Sequence, residues 1–132
     1  MRIVLTSLLV DDQEKALKFY TEVLGFVKKR DIPIGESRWL TVVSPEGPEG
    51  IEMVLEPTSF PPSASYQTSL FSGGTPAMAF ASDDIQAEYS RLKGLGVVFR
   101  GEPESAGPVV SVLFEDTCGN LINLFQAGSS PI

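Results

Sequence analysis

The chain has 132 residues, 42% of them hydrophobic and 20% charged, the balance of one globular domain with a core large enough to fold without staples. A formal net charge of −7 sets the surface against phosphate backbones, so nucleic acid is not an expected partner. With no histidine and a single cysteine, the sequence excludes a histidine general base, a Ser-His-Asp triad and an internal disulfide.

No stretch approaches the roughly 20 apolar residues that span a bilayer. Residues 3–10 are apolar and β-rich and run straight into Asp11-Asp12 without a small-residue cleavage site, so they read as a strand and not a leader. The expected address is the cytoplasm. Asp11 or Asp12 caps the helix that follows, its carboxylate accepting backbone N–H bonds. Ala16, Leu17, Tyr20, Val23 and Leu24 give that helix one apolar face, and Gly25 ends it. Residues 26–30, 38–44 and 51–56 read as three further strands. The last two are joined by the breaker-rich Pro45-Glu46-Gly47-Pro48-Glu49-Gly50.

Residues 57–74 form a linker in which Tyr66, Leu70 and Phe71, at helical spacing, predict a short surface helix serving as a lid or a dimer contact. The pattern then begins again. Residues 77–81 are a strand. Asp83 or Asp84 caps a helix with Ile85, Tyr89 and Leu92 on its buried stripe, and Gly96 ends it. Residues 97–99 are a short strand and 102–107 a loop. Residues 108–115 and 120–126 form a hairpin around Asp116-Thr117-Cys118-Gly119, and 127–132 are a frayed tail.

The repeat can be measured. Asp84 lies 72 positions after Asp12, Gly96 lies 71 after Gly25, and Asn123 lies 71 after Glu52. The chain therefore reads as one α+β domain over 1–132 built from two βαβββ modules, at about 1–56 and 75–127. Eight strands would form a curved mixed sheet with the helices outside and a small-molecule cleft on the inner face. Strand alternation puts Glu52 and Val54 on one side of their strand, and the repeat puts Asn123 and Phe125 on the equivalent side of theirs. Quasi-twofold symmetry would bring Glu52 and Asn123 toward one cleft. Glu52 suits a cationic ligand, or base chemistry if burial raises its pKa; the alternative is a carboxylate paired with Arg38 or water. Arg38 and Trp39 point to opposite sides of their strand, and whichever faces inward can clamp or stack on a ligand. Cys118 reads as an inert thiol.

The run Met1-Arg2-Ile3-Val4-Leu5-Thr6-Ser7-Leu8-Leu9-Val10 with Asp12, Phe19-Tyr20 and Leu24-Gly25-Phe26 resembles the opening of vicinal-oxygen-chelate proteins, the glyoxalase, bleomycin-resistance and dioxygenase group. Phe80, Asp84-Ile85, Leu92, Gly96 and the ending Asp116-Thr117-Cys118-Gly119-Asn120-Leu121-Ile122-Asn123-Leu124 extend the resemblance over nearly the whole chain. It implies four metal-ligand positions, which fall here on Leu5, Glu52, Ala77 and Asn123. Only Glu52 keeps a good ligand, too few for a transition ion that wants about three or four. The resemblance thus implies a homodimer that binds a small organic molecule, cationic ones included, without metal or other cofactor. The alternative is a lyase- or dioxygenase-type enzyme with an unusual site around Glu52.

Overall fold

In a computed structural model that describes residues 1–128, the chain divides into two compact units, Met1–Gln67 and the residues from Thr68 on. Each unit is α+β and carries its own four-stranded mixed sheet. In the first, β1 (Leu5–Val10), β2 (Val27–Ile34), β3 (Ser37–Val43) and β4 (Glu52–Pro57) are ordered β1-β4-β3-β2. In the second, β5 (Met78–Ala81), β6 (Glu104–Ala106), β7 (Val109–Glu115) and β8 (Leu121–Ala127) are ordered β5-β8-β7-β6. The two orders are the same, with a parallel first–last pair in each unit. Eight strands therefore hydrogen-bond as two ladders of four.

The first helix, α1 (Gln13–Lys18), starts as predicted. The Asp12 side chain accepts the Lys15 N–H at 2.9 Å, which satisfies a donor that the helix itself leaves unpaired. The chain then widens into a π turn over Phe19–Val23, closed by bonds from Leu24 N–H to Phe19 C=O at 3.0 Å and from Phe26 N–H to Tyr20 C=O at 2.9 Å. That extra width turns both Phe19 and Tyr20 into the core. Gln13 locks the helix to the sheet: its side-chain N–H₂ donates to the Arg38 and Leu55 carbonyls, both at 2.8 Å, and its oxygen accepts the Arg38 N–H at 3.1 Å. Leu8, Val10, Ala16, Tyr20, Leu40, Val42 and Leu55 fill the space between helix and sheet.

The second unit repeats this plan. Asp84 caps α3 (Ile85–Gly94) by accepting the Ala87 N–H at 3.1 Å. Ile85 and Leu92 face a core with Val112, Phe114, Ile122 and Leu124. Tyr89, Phe99 and Phe114 form an edge-packed aromatic row with ring centroids 4.6 and 5.7 Å apart.

Two stretches differ from expectation. Residues 97–99 do not make a strand. Phe99 contributes one isolated bridge to Phe114, and the ladder strand is β6, inside the segment expected to be a loop. The reason is the turn before β7, where Gly107, at φ +62°, folds β6 back onto it cheaply. The linker helix is also longer than expected, running over Pro61–Ser72 as α2, with proline suited to its first turn. Of the expected frayed tail, residues 129–132 lie outside the described residues.

Candidate functional site

In the first unit the register sorts the side chains. Leu5 is level with Glu52 and Ser7 with Val54. Thr41 is level with Val54 across β3–β4, and Arg30 with Thr41 across β2–β3. Level partners point to the same side. Leu5, Arg30, Trp39, Thr41, Glu52 and Val54 therefore share the face away from α1. Arg38 takes the other side. Its guanidinium grips Asp31 through two bonds of 2.9 and 2.7 Å and lies 3.6 Å from Glu14 on α1. Trp39, not Arg38, is thus the β3 residue that joins Glu52 on its face, and Arg38 is not the partner of Glu52.

That partner is Arg30, which no motif marks. Its Nε donates to both Glu52 oxygens, at 3.0 and 3.3 Å, while the buried Thr41 hydroxyl donates to Oε1 at 2.8 Å. The Thr41 hydrogen bond first, and that of Arg30 second, hold the Glu52 carboxyl below the ordinary carboxylate range. The shift is opposite to the one a neutral-pH general base requires.

A slip in β2 places Arg30. Lys28 is level with Val42, but the next ladder pair is Arg30 with Thr41, so Lys29 is the extra residue of a β-bulge. Without the bulge Lys29 would stand opposite Thr41. Sequence alternation cannot see an insertion of one residue, which is why Arg30 escaped notice.

The donor set does not fit the divalent ion that the resemblance implies. Leu5 and Ala77 offer no lone pair, and the Glu52 carboxylate already accepts from a guanidinium and a hydroxyl. Among the described residues, no group of three histidine, cysteine, aspartate or glutamate side chains gathers to hold a metal.

In the second unit Asn123 is level with Ala79 on β5 and Leu113 on β7, and Phe125 with Ala81 and Ser111. The level mate of Asn123 is thus two residues beyond Ala77, whose N–H donates to the Leu121 carbonyl at 2.9 Å. In the first unit Leu5 and Glu52 are directly level. The β3–β4 connection, residues 44–51, is longer than the β7–β8 connection, residues 116–120, and this difference shifts the register of the two final strands. A cavity of about 400 Å³ opens on the Asn123 face, lined by Pro76, Arg100, Glu102, Glu104, Ser111 and Asn123 among others. That volume falls in the range of small-molecule sites. Phe125 shares the face but does not line the cavity. Arg100 is neutralised by Glu115, its Nε 3.0 Å from Oε2, and lies 5.4 Å from the Phe71 ring centre. Glu102 and Glu104 have no ion-pair partner among the described residues, so the rim is acidic.

Comparison with known proteins agrees with this architecture. The model of the Glyoxalase/Bleomycin resistance protein/Dioxygenase superfamily matches residues 2–124, and the chain belongs to that superfamily. The Bacillus subtilis (strain 168) protein YurT is 52% identical over 126 residues, covering 96% of this chain and 99% of its own. The crystal structure of TnmS3, an antibiotic binding protein from Streptomyces sp. CB03234, superposes with a TM-score of 0.77 at 30% identity, covering 97% of each chain. A probable lactoylglutathione lyase of Arabidopsis thaliana, chloroplastic, is 31% identical over 126 residues; the match covers 92% of this chain but 35% of the plant protein. No helix among the described residues is long and apolar enough to cross a membrane.

Proposed function

We propose that this protein binds a small organic molecule in its cleft without a metal ion, in the manner of a bleomycin-resistance protein. The observation that carries the reading is the Arg30 guanidinium seated on Glu52, the one family ligand position that keeps a carboxylate. A cation built into the chain removes both the vacancy and the charge that would attract a divalent ion. The likeness to an antibiotic binding protein supports the ligand class. The acidic rim of Glu102 and Glu104 supports acceptance of cationic molecules. The polar lining of Asn123 and Ser111 in the second unit supports that cavity as the place where the ligand binds.

The family relationship supports a homodimer, and the buried cysteine Cys118 suits the reducing cytoplasm. Light scattering that returned only the 14.2 kDa monomer mass would remove the dimer.

Two measurements test the central reading. Elemental analysis of the purified protein is expected to find no stoichiometric nickel, zinc or iron. Thermal unfolding is expected to ignore chelator and to rise with bleomycin or with 2-naphthylmethylammonium. At a hundredfold excess over Kd the ligand contributes about 2.7 kcal/mol. A tightly held metal, together with turnover of the methylglyoxal–glutathione hemithioacetal, would replace this reading with a lyase.

A further inference from the structure

The bulge in β2 spends one residue of ladder regularity to put an arginine where a lysine would have stood. The two cations are not equivalent. A lysine on Glu52 would use its point charge there, whereas Arg30 uses only Nε. Its terminal Nη groups make no hydrogen bond among the described residues, and the side chain is 50% exposed. Those groups carry four N–H donors in a rigid plane that matches paired oxygen acceptors. Apolar side chains share their side of the sheet, and Lys29 is close enough to act on the Glu52 carboxylate. Ile32, 50% exposed, is two residues along β2 on the same side, Trp39 is level with Ile32, and Leu5 is level with Glu52.

From this geometry, and resting on the metal-free binding reading above, we infer that Arg30 is a ligand-binding residue. Its Nη donors grip two neighbouring oxygens, a carboxylate or an adjacent carboxylate–hydroxyl pair, on the edge of an otherwise apolar ring system. Glu52 and Thr41 are positioning residues. They hold the guanidinium by its Nε edge and leave the fork facing outward. The apolar body of the ligand lies along Ile32 and Trp39.

The test uses the full chain and two probes that share one ring system. 3-Hydroxy-2-naphthoate carries the adjacent oxygens; 2-naphthylmethylammonium carries a cation and none. Isothermal titration is run on the unaltered protein, Arg30→Met and Arg30→Lys. The acid is expected to lose about tenfold or more in affinity with Arg30→Met, the scale of a lost charge-assisted bond. Arg30→Lys is expected to recover only part of it, because the charge returns without the fork, and the amine is expected to stay within about twofold. Because Arg30 is half exposed, both variants are expected to unfold within a few degrees of the unaltered chain. Equal affinity of the acid for the unaltered protein and Arg30→Met overturns the role of Arg30. Binding of the amine but not the acid by the unaltered protein also overturns it, while leaving metal-free binding intact. Failure of both probes counts against both readings.

Discussion

Replacing Thr41 by valine keeps the shape of a fully buried side chain and removes one donor. The donor lost is the hydroxyl 2.8 Å from Glu52 Oε1. A hydrogen bond to a charged group contributes about 1.5–3 kcal/mol. Part of that returns in the variant, because Arg30 still covers the carboxylate and the Glu52 side chain, 19% exposed, can admit water. We therefore expect a loss of about 1–2 kcal/mol at neutral pH. The loss has a signature in pH. The folded-state pKa of Glu52 is depressed, with the Thr41 bond as its largest cause. A depressed carboxyl contributes stability above its unfolded value, near 4.5, and loses it as pH falls through the lower folded value. The gap between the unaltered chain and Thr41→Val is thus full at pH 7 and closes in acid. Urea unfolding at neutral and acid pH, with matching m values, reads it directly. A gap of the same size at every pH would mean that valine simply packs badly. A gap below about 0.3 kcal/mol at pH 7 would mean that the hydroxyl does not stabilise the anion.

Other outcomes follow from the same geometry. Arg30→Met should move the Glu52 carboxyl up toward its ordinary range, whereas Arg38→Met should leave it unmoved, since Arg38 serves Asp31 and Glu14 on the opposite side of the sheet; carboxyl-carbon NMR titration separates the two. Gln13→Ala should cost about 1–3 kcal/mol in chemical denaturation, because three bonds to β3 and β4 are lost at once. Ala79→Leu, at an exposed position level with Asn123, should crowd the cleft face of the second unit and weaken binding of 2-naphthylmethylammonium by about tenfold while shifting stability by under about 0.5 kcal/mol; unchanged affinity in titration would take that face out of the site.

What the sequence disclosed was periodic, and what it hid was not. The caps at Asp12 and Asp84, the two βαβββ modules and the sidedness of Glu52 and Val54 all follow from spacings of two or three to four residues, which the backbone enforces. The hidden features are single-residue departures from period. The π turn at Phe19–Val23 widens the helix where Phe19 and Tyr20 enter the core. The bulge at Lys29 exchanges the sidedness of Lys29 and Arg30, and with it the identity of the cation on Glu52. The unequal β3–β4 and β7–β8 connections break the uniform offset of the repeat, so Asn123 is level with Ala79 while Glu52 is level with Leu5. The bulge and the unequal connections bear on the candidate site. None can be read without the hydrogen-bond ladder.

The proposed exchange of an ion for a guanidinium also bears on chemistry. A divalent metal holds its ligand by coordination, polarises it and lowers the pKa of what it binds, but needs about three or four protein donors to stay. Arg30 needs one carboxylate and one hydroxyl, because the covalent chain already fixes it. Its single charge is delocalised, and its pKa is too high for it to exchange protons near neutrality. Such a group orients and charge-matches oxygen atoms without activating them. Binding without turnover is then the expected behaviour, and two results together mark it: ligand affinity that chelator leaves unchanged, and the same affinity lost when Arg30 becomes methionine. Affinity that fell with chelator in the unaltered protein would place a metal in the site despite its donors, and the role given to Arg30 would pass to that ion.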